Sequence, residues 1–184
     1  MTRIFTTLAS VLALALTASF LAGVASKWRD AAHNPNDSLY LVHFTLGLFT
    51  AIGALLIHCI IFTYFLGTGR WVKEVKLAYH LPDEPLPKLT RELKRRTFPP
   101  ALAAMLITIA TAAAGAGAQL QEWPWMAHAS LAVATLVINL WAFRLEYRNL
   151  RINAEVITDA LHEVDRIRAA RGLPSNAEAL REAE

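Results

Sequence analysis

The chain has 184 residues, of which 55% are hydrophobic and 18% charged, with a formal net charge of +3. Soluble domains carry about 45–50% apolar and about 25% charged residues, so this balance is that of a membrane protein and excludes a disordered chain or a collagen-like repeat. A single cysteine, Cys59, excludes any intrachain disulfide.

Four stretches contain no Asp, Glu, Lys or Arg: Ile4–Ser26, Ser38–Gly69, Thr97–Gln121 and Trp123–Phe143. Each is longer than the about 20 apolar residues a helix needs to cross a bilayer core. Backbone groups in lipid must bond internally, so each stretch is predicted to be a helix. The expected fold is an all-α membrane protein with four transmembrane helices in an antiparallel bundle. The spans are placed at about 4–26, 39–66, 98–119 and 124–146. Residues 1–147 form the membrane bundle, 67–97 a cytoplasmic link, and 148–184 a cytoplasmic helical tail.

The first stretch has two readings. Arg3, an apolar run and Ala22-Gly23-Val24-Ala25 fit a secretory signal cleaved after Ala25. Its apolar run is longer than a signal core of about 7–15 residues, so a retained span is the expectation. After the second stretch, Gly67-Thr68-Gly69 is expected to close the span. Trp71, Val72, Val75, Ala78 and Tyr79 then recur at helical spacing among charged residues, which predicts a short amphipathic helix at the interface. The proline-rich run 81–87 breaks it. A basic helix over about 89–97 leads into the third span, with Pro99 and Pro100 in the first turns of that span.

From Trp125 to Arg171 there is neither glycine nor proline. One helix is predicted there, leaving the membrane and ending at Gly172 and Pro174. Ile157, Leu161, Val164 and Ile167 form an apolar stripe expected to be covered by the link, by a second copy in a coiled coil, or by a protein partner engaging 148–171, the alternative being a solvated amphipathic extension. Ser175-Asn176-Ala177-Glu178 fits a capping box.

Orientation follows from the 18 Lys and Arg residues. Only Lys27 and Arg29 fall in the two outer connections; the others lie in the link, from Arg144 onward, or at Arg3. The positive-inside rule places both termini in the cytoplasm, as in a bacterial-type inner membrane. The basic charge faces anionic lipid, and no nucleic-acid partner is implied.

Three histidines fall inside spans: His43, His58 and His128. An intramembrane ionisable residue is a functional candidate. His43 and His128 fall at nearly the same depth near the outer ends of the second and fourth spans. Gly47 and Ala54 follow on the face of His43, and Ala132, Thr135 and Asn139 on that of His128. The third span offers Thr108, Thr111 and Gly115. Two imidazoles at one depth with small residues beside them suit axial ligation of one b-type haem, with His43 and His128 as the iron ligands and Gly47, Ala54 and Ala132 facing the cofactor. The pattern resembles four-helix membrane cytochromes b in these histidines and small residues alone. The multi-haem members carry two histidines on each of two helices, and here Ala142 stands where the fourth falls. The bland alternative is that all of these are packing residues. His58, about 22 Å further along the helix, is assigned with Asn139 and Thr135 to polar packing or proton handling. Cys59 points about 100° away from His58 and is expected to be a buried thiol. His33 belongs to the outer loop, and His80 and His162 to the cytoplasmic parts.

The leading functional reading is an auxiliary or structural subunit that engages a partner through its bundle and tail. The alternative is a membrane electron-transfer subunit holding haem. A small transporter or channel stands last, because a path needs charged groups in the membrane and the four charge-free runs contain none. No acid–base pair or nucleophile–base constellation assembles from the spans, so enzymatic chemistry is not expected.

Overall fold

The computed structural model describes residues 1–29 and 36–182. All the regular structure in these residues is helical. Helix α1 covers Thr2–Trp28, α2 Ser38–Tyr79, α3 Leu86–Gln119, α4 Trp125–Ala170 and α5 Asn176–Glu182. The first four are long and apolar enough to cross a membrane. Their outward faces carry large apolar side chains such as Val11, Leu14, Phe49 and Val137. Lipid accepts these residues, whereas water would not.

Two helices differ from the sequence expectation. Helix α2 does not stop at Gly67-Thr68-Gly69 but runs on to Tyr79 as one piece of 42 residues. A helical glycine costs about 1 kcal/mol relative to alanine, too little to end a helix whose flanking turns are packed. Thr68 also bonds back to the Tyr64 carbonyl at 2.9 Å, keeping the local turn helical. The stretch 70–79 is therefore the end of α2 and not a separate element. Its stop is His80, whose φ of 55° is left-handed. Leu81 N–H then bonds to the Lys76 carbonyl at 3.0 Å, the bonding of a left-handed helix cap. Helix α3 likewise absorbs the predicted 89–97 helix and runs through Pro99 and Pro100.

Helix α4 is one piece of 46 residues, as the lack of breakers predicts. Gly172 ends it with a φ of 68°, and Leu173 N–H reaches the Arg168 carbonyl at 3.0 Å. The capping box forms: Glu178 Oε2 accepts from Ser175 N–H at 2.8 Å, and Ser175 Oγ accepts from Glu178 N–H at 3.3 Å.

The chain divides into two compact units, Met1–Ile61 with Thr97–Tyr147, and Phe62–Arg96 with Arg148–Glu184. In the first, Phe5 of α1 meets Phe143 of α4 edge-on at 6.4 Å, and α2, α3 and α4 are joined by buried polar contacts. In the second, Asn153 Nδ2 donates to Tyr64 Oη at 3.2 Å and to Thr68 Oγ1 at 3.1 Å. Val72, Leu93, Leu150, Val156, Ala160 and Val164 are buried there. The covered stripe of the tail is thus rotated from the predicted one, since Leu161 is exposed while Val156 and Ala160 are covered. Asp83 closes the unit's surface, accepting from Arg91 at 2.6 Å and from Lys76 at 2.7 Å. The Arg91 guanidinium, and after it the Lys76 ammonium, holds the Asp83 carboxyl well below the usual carboxylate range.

Candidate functional site

The first unit holds two clusters of polar groups on the helices long and apolar enough to span a membrane, called outer and inner after the expected topology. The outer one is built on His43 and His128. Their ring centres stand 6.1 Å apart, with 67° between the planes. Each is held by a neighbouring helix in the same manner. His43 Nδ1 lies 3.0 Å from the Ser19 carbonyl of α1, and His128 Nδ1 lies 3.0 Å from the Thr111 carbonyl of α3. A carbonyl only accepts, so each Nδ1 carries the hydrogen, and in the neutral ring Nε2 then keeps the lone pair.

A glycine one turn beyond each carbonyl makes room for the ring. A Cβ on Gly23 would stand 2.7 Å from His43 Cε1, and one on Gly115 would stand 2.9 Å from His128 Cε1. Ser19 and Gly23 on α1 thus mirror Thr111 and Gly115 on α3. Gly47 has a different role from the one expected: it lies against the Ser19 hydroxyl, with a Cβ distance of 3.3 Å. Ala54 is buried and Ala132 half-buried. His33 lies outside the described residues.

The fit to haem can be tested on these observations. Two imidazoles bound through Nε2 on opposite sides of one iron place their ring centres on the order of 6 Å apart, from metal–nitrogen bonds of about 2 Å. The pair matches that separation. Its tautomers present the correct nitrogen, and an Nδ1–H tied to a carbonyl is the usual support of a ligating histidine. No group of three or more His, Cys, Asp or Glu among the described residues could hold a bare ion. Two histidines can serve as the two axial ligands of a metal whose other four ligands come from a porphyrin.

The inner cluster contains a group that sequence reasoning missed. His58 is fully buried, and its Nδ1 lies 2.7 Å from Oε1 of Glu146, which is also fully buried. The charge-free run of the fourth span ends at Phe143, whereas the buried face of α4 continues to Glu146. The findable signal was the spacing His128, Thr135, Asn139, Glu146, which keeps one face of α4 polar by steps of seven, four and seven. Phe143 stacks on the His58 ring at 5.3 Å and 21°. His58 Nε2 lies 3.2 Å from Asn139 Oδ1. Asn139 Nδ2 donates to the Thr135 carbonyl at 2.9 Å and to Thr108 Oγ1 at 3.2 Å. Thr135 and Thr111 share a hydroxyl hydrogen bond of 2.6 Å.

Cys59 is exposed, not buried. Ile57 and His58 take the two covered positions of this turn, and Cys59, about 100° further round, falls on the outward face. His80 caps α2, and His162 lies exposed on α4.

No family model matches the chain, and neither a curated protein nor a solved structure matches it significantly.

Proposed function

We propose that the four long helices form an antiparallel membrane bundle with both termini in the cytoplasm, as in a bacterial-type inner membrane, and that the protein is an electron-transfer subunit holding one b-type haem through His43 and His128. The observation that carries this reading is the matched pair of histidines, each with Nδ1–H on a backbone carbonyl and Nε2 free, with ring centres 6.1 Å apart. Gly23 and Gly115 set the two rings, and of the small residues expected to face the macrocycle half-buried Ala132 remains available, whereas Gly47 lies against the Ser19 hydroxyl and Ala54 is fully covered by protein. The haem would supply one-electron chemistry within the membrane. The part of this chain is to present two neutral imidazoles in fixed tautomers and to exclude water around them. Retention of α1 is part of the proposal, because α1 supplies the Ser19 carbonyl and Gly23.

The auxiliary-subunit reading shares this topology. It loses its main motive, because Val156, Ala160 and Val164 of the tail are covered within the chain. The tail still exposes Leu161 among its charged and polar side chains.

The test is the visible spectrum of the protein purified from membranes of a haem-supplied host. A Soret band that is lost in both His43→Ala and His128→Ala, and kept in His162→Ala, is the expected result. A folded wild-type protein with no Soret band after hemin addition overturns the haem reading.

A further inference from the structure

His58 can be assigned its protons by elimination. Asn139 is fixed from its far side: one acceptor is the Thr135 carbonyl, and the other is the Thr108 hydroxyl, whose own hydrogen is committed to the Ala104 carbonyl at 2.7 Å. The amide nitrogen of Asn139 must sit there, so its oxygen faces His58. An amide oxygen only accepts, and Nε2 of His58 therefore carries a hydrogen. One proton is left to place across the 2.7 Å between Nδ1 and Glu146 Oε1. With it, the pair is an imidazolium–carboxylate or an imidazole–carboxylic acid, and in both forms the net charge is zero. Without it, two lone pairs face each other and a net negative charge is buried, which is costly in a low-dielectric site.

The pair is closed at one end and open at the other. Toward the outer cluster, an amide nitrogen and a hydroxyl committed to a carbonyl intervene, and neither passes a proton on. Toward the inner end, Glu146 Oε2 is buried without a protein hydrogen-bond partner. It is a second oxygen able to take a proton, and α4 continues from it with exposed Tyr147 and Arg148. Among the described residues, α1 carries no Asp, Glu, Lys or Arg over 4–26, α2 none over 38–69 and α3 none over 97–121; just beyond these runs Arg3, Arg70, Arg95 and Arg96 are exposed, and Lys94 lies against Gly69. On α4 itself Arg144 is exposed, as is Cys59 beside His58 on α2.

We propose that His58 and Glu146 are an intramembrane proton-binding site that exchanges its shared proton through Glu146 with the membrane face on which α4 emerges. A gain or loss of a proton there creates a buried charge, so the exchange responds to any compensating charge that appears among the spans. An electron on a haem at His43 and His128 is such a charge. That last link rests on the haem reading, and the proton site does not.

The test uses full-length protein in lipid nanodiscs, with ¹⁵N-labelled histidine and without added haem. Magic-angle-spinning NMR is expected to show His58 with Nε2 protonated and a strongly hydrogen-bonded Nδ1 proton that exchanges with deuterated buffer. A bare Nε2, or an Nδ1 proton that does not exchange while the protein is folded, overturns the site. Glu146→Gln is expected to slow that exchange at least tenfold, and Glu146→Asp to restore part of it. Exchange unchanged in folded Glu146→Gln overturns the route through Glu146. In protein that shows a Soret band, the midpoint potential is expected to fall with rising pH and to become flat in Glu146→Gln. A flat wild-type profile overturns the redox link alone, and a missing Soret band overturns the haem reading alone.

Discussion

The Nδ1 of His43 and the backbone carbonyl of Ser19 stand 3.0 Å apart, and this one contact fixes which nitrogen of the imidazole is free. Its counterpart is His128 on Thr111. Each histidine is thus oriented by a backbone group of the helix beside it, and each ring lies on a glycine one turn further along that helix. The arrangement holds ring direction and tautomer together, which is what a ligating or proton-donating imidazole requires and plain packing does not.

The glycines give the first prediction. Gly23→Ala and Gly115→Ala place a methyl group 2.7 Å and 2.9 Å from a histidine ring carbon, closer than real contacts allow. Either ring must move off its carbonyl. Each variant is expected to lose about 1–3 kcal/mol of stability by overpacking, and, where haem is bound, to broaden or lose the Soret band. Gly67→Ala is the control: nothing lies within 4 Å of its Cβ. It is expected to gain about 0.5–1 kcal/mol from helix propensity. Thermal unfolding in one detergent ranks the three, and a Gly23→Ala protein as stable as Gly67→Ala contradicts the packing argument.

The helices were legible because lipid imposes a simple rule on sequence: charges vanish for about 20 residues. The end of α4 was equally readable, since Gly172 and the Ser175–Glu178 box are local signals. Gly67 and Gly69 misled because punctuation residues carry only a local cost, and the packed turns on both sides outweigh it. Glu146 was missed for the opposite reason. A carboxylate next to Arg144 reads as the start of the aqueous phase, and only its pairing with His58 shows that the polar interior continues there. Ser19 left no trace at all, because it acts through a carbonyl that every residue possesses. Gly23 and Gly115 could have been found by the four-residue spacing they share with Ser19 and Thr111.

The second prediction concerns the energetics of the buried pair. Removing one partner leaves an uncompensated polar group in an apolar site, at about 3–5 kcal/mol. His58→Phe and Glu146→Leu are each expected to destabilise on that scale. The double variant is expected to recover much of the loss, because both polar groups go together and Phe143 still has an aromatic neighbour to stack on. A double-mutant cycle with additive losses contradicts a direct coupling.

The third prediction is a pH dependence outside the membrane. Arg91 and Lys76 lower the Asp83 carboxyl in the folded chain. A depressed carboxylate contributes stability above its unfolded pKa of about 3.9 and loses it as pH falls through the lower folded value. The turn before α3 is therefore expected to be indifferent to pH from 7 to about 5 and to loosen in stronger acid. Hydrogen exchange of Lys88 N–H, which bonds to the Asp83 carbonyl at 3.0 Å, reads this locally. Asp83→Asn should show the acid-form exchange already at pH 7. The groups are well exposed, so high salt is expected to shrink the difference.

The last prediction is the orientation of the chain. Sixteen of the eighteen Lys and Arg residues are Arg3, those of 70–96 and those from Arg144 onward, and only Lys27 and Arg29 fall in the outer connections. Moving that many cations across a bilayer is far costlier than moving two, and the anionic inner leaflet holds them once placed. Lys27 is further anchored over the Trp125 ring at 5.2 Å, which ties the outer ends of α1 and α4 to one interface. In a Cys59→Ser background, single cysteines at Asn36 and Glu122 are expected to react with a membrane-impermeant maleimide added to intact cells. Cysteines at Lys73 and Ala169 should react only after the membrane is opened. The reverse pattern would show that the helices are threaded the other way. Reaction at Asn36 together with Lys73 in intact cells would show that α2 does not cross the membrane.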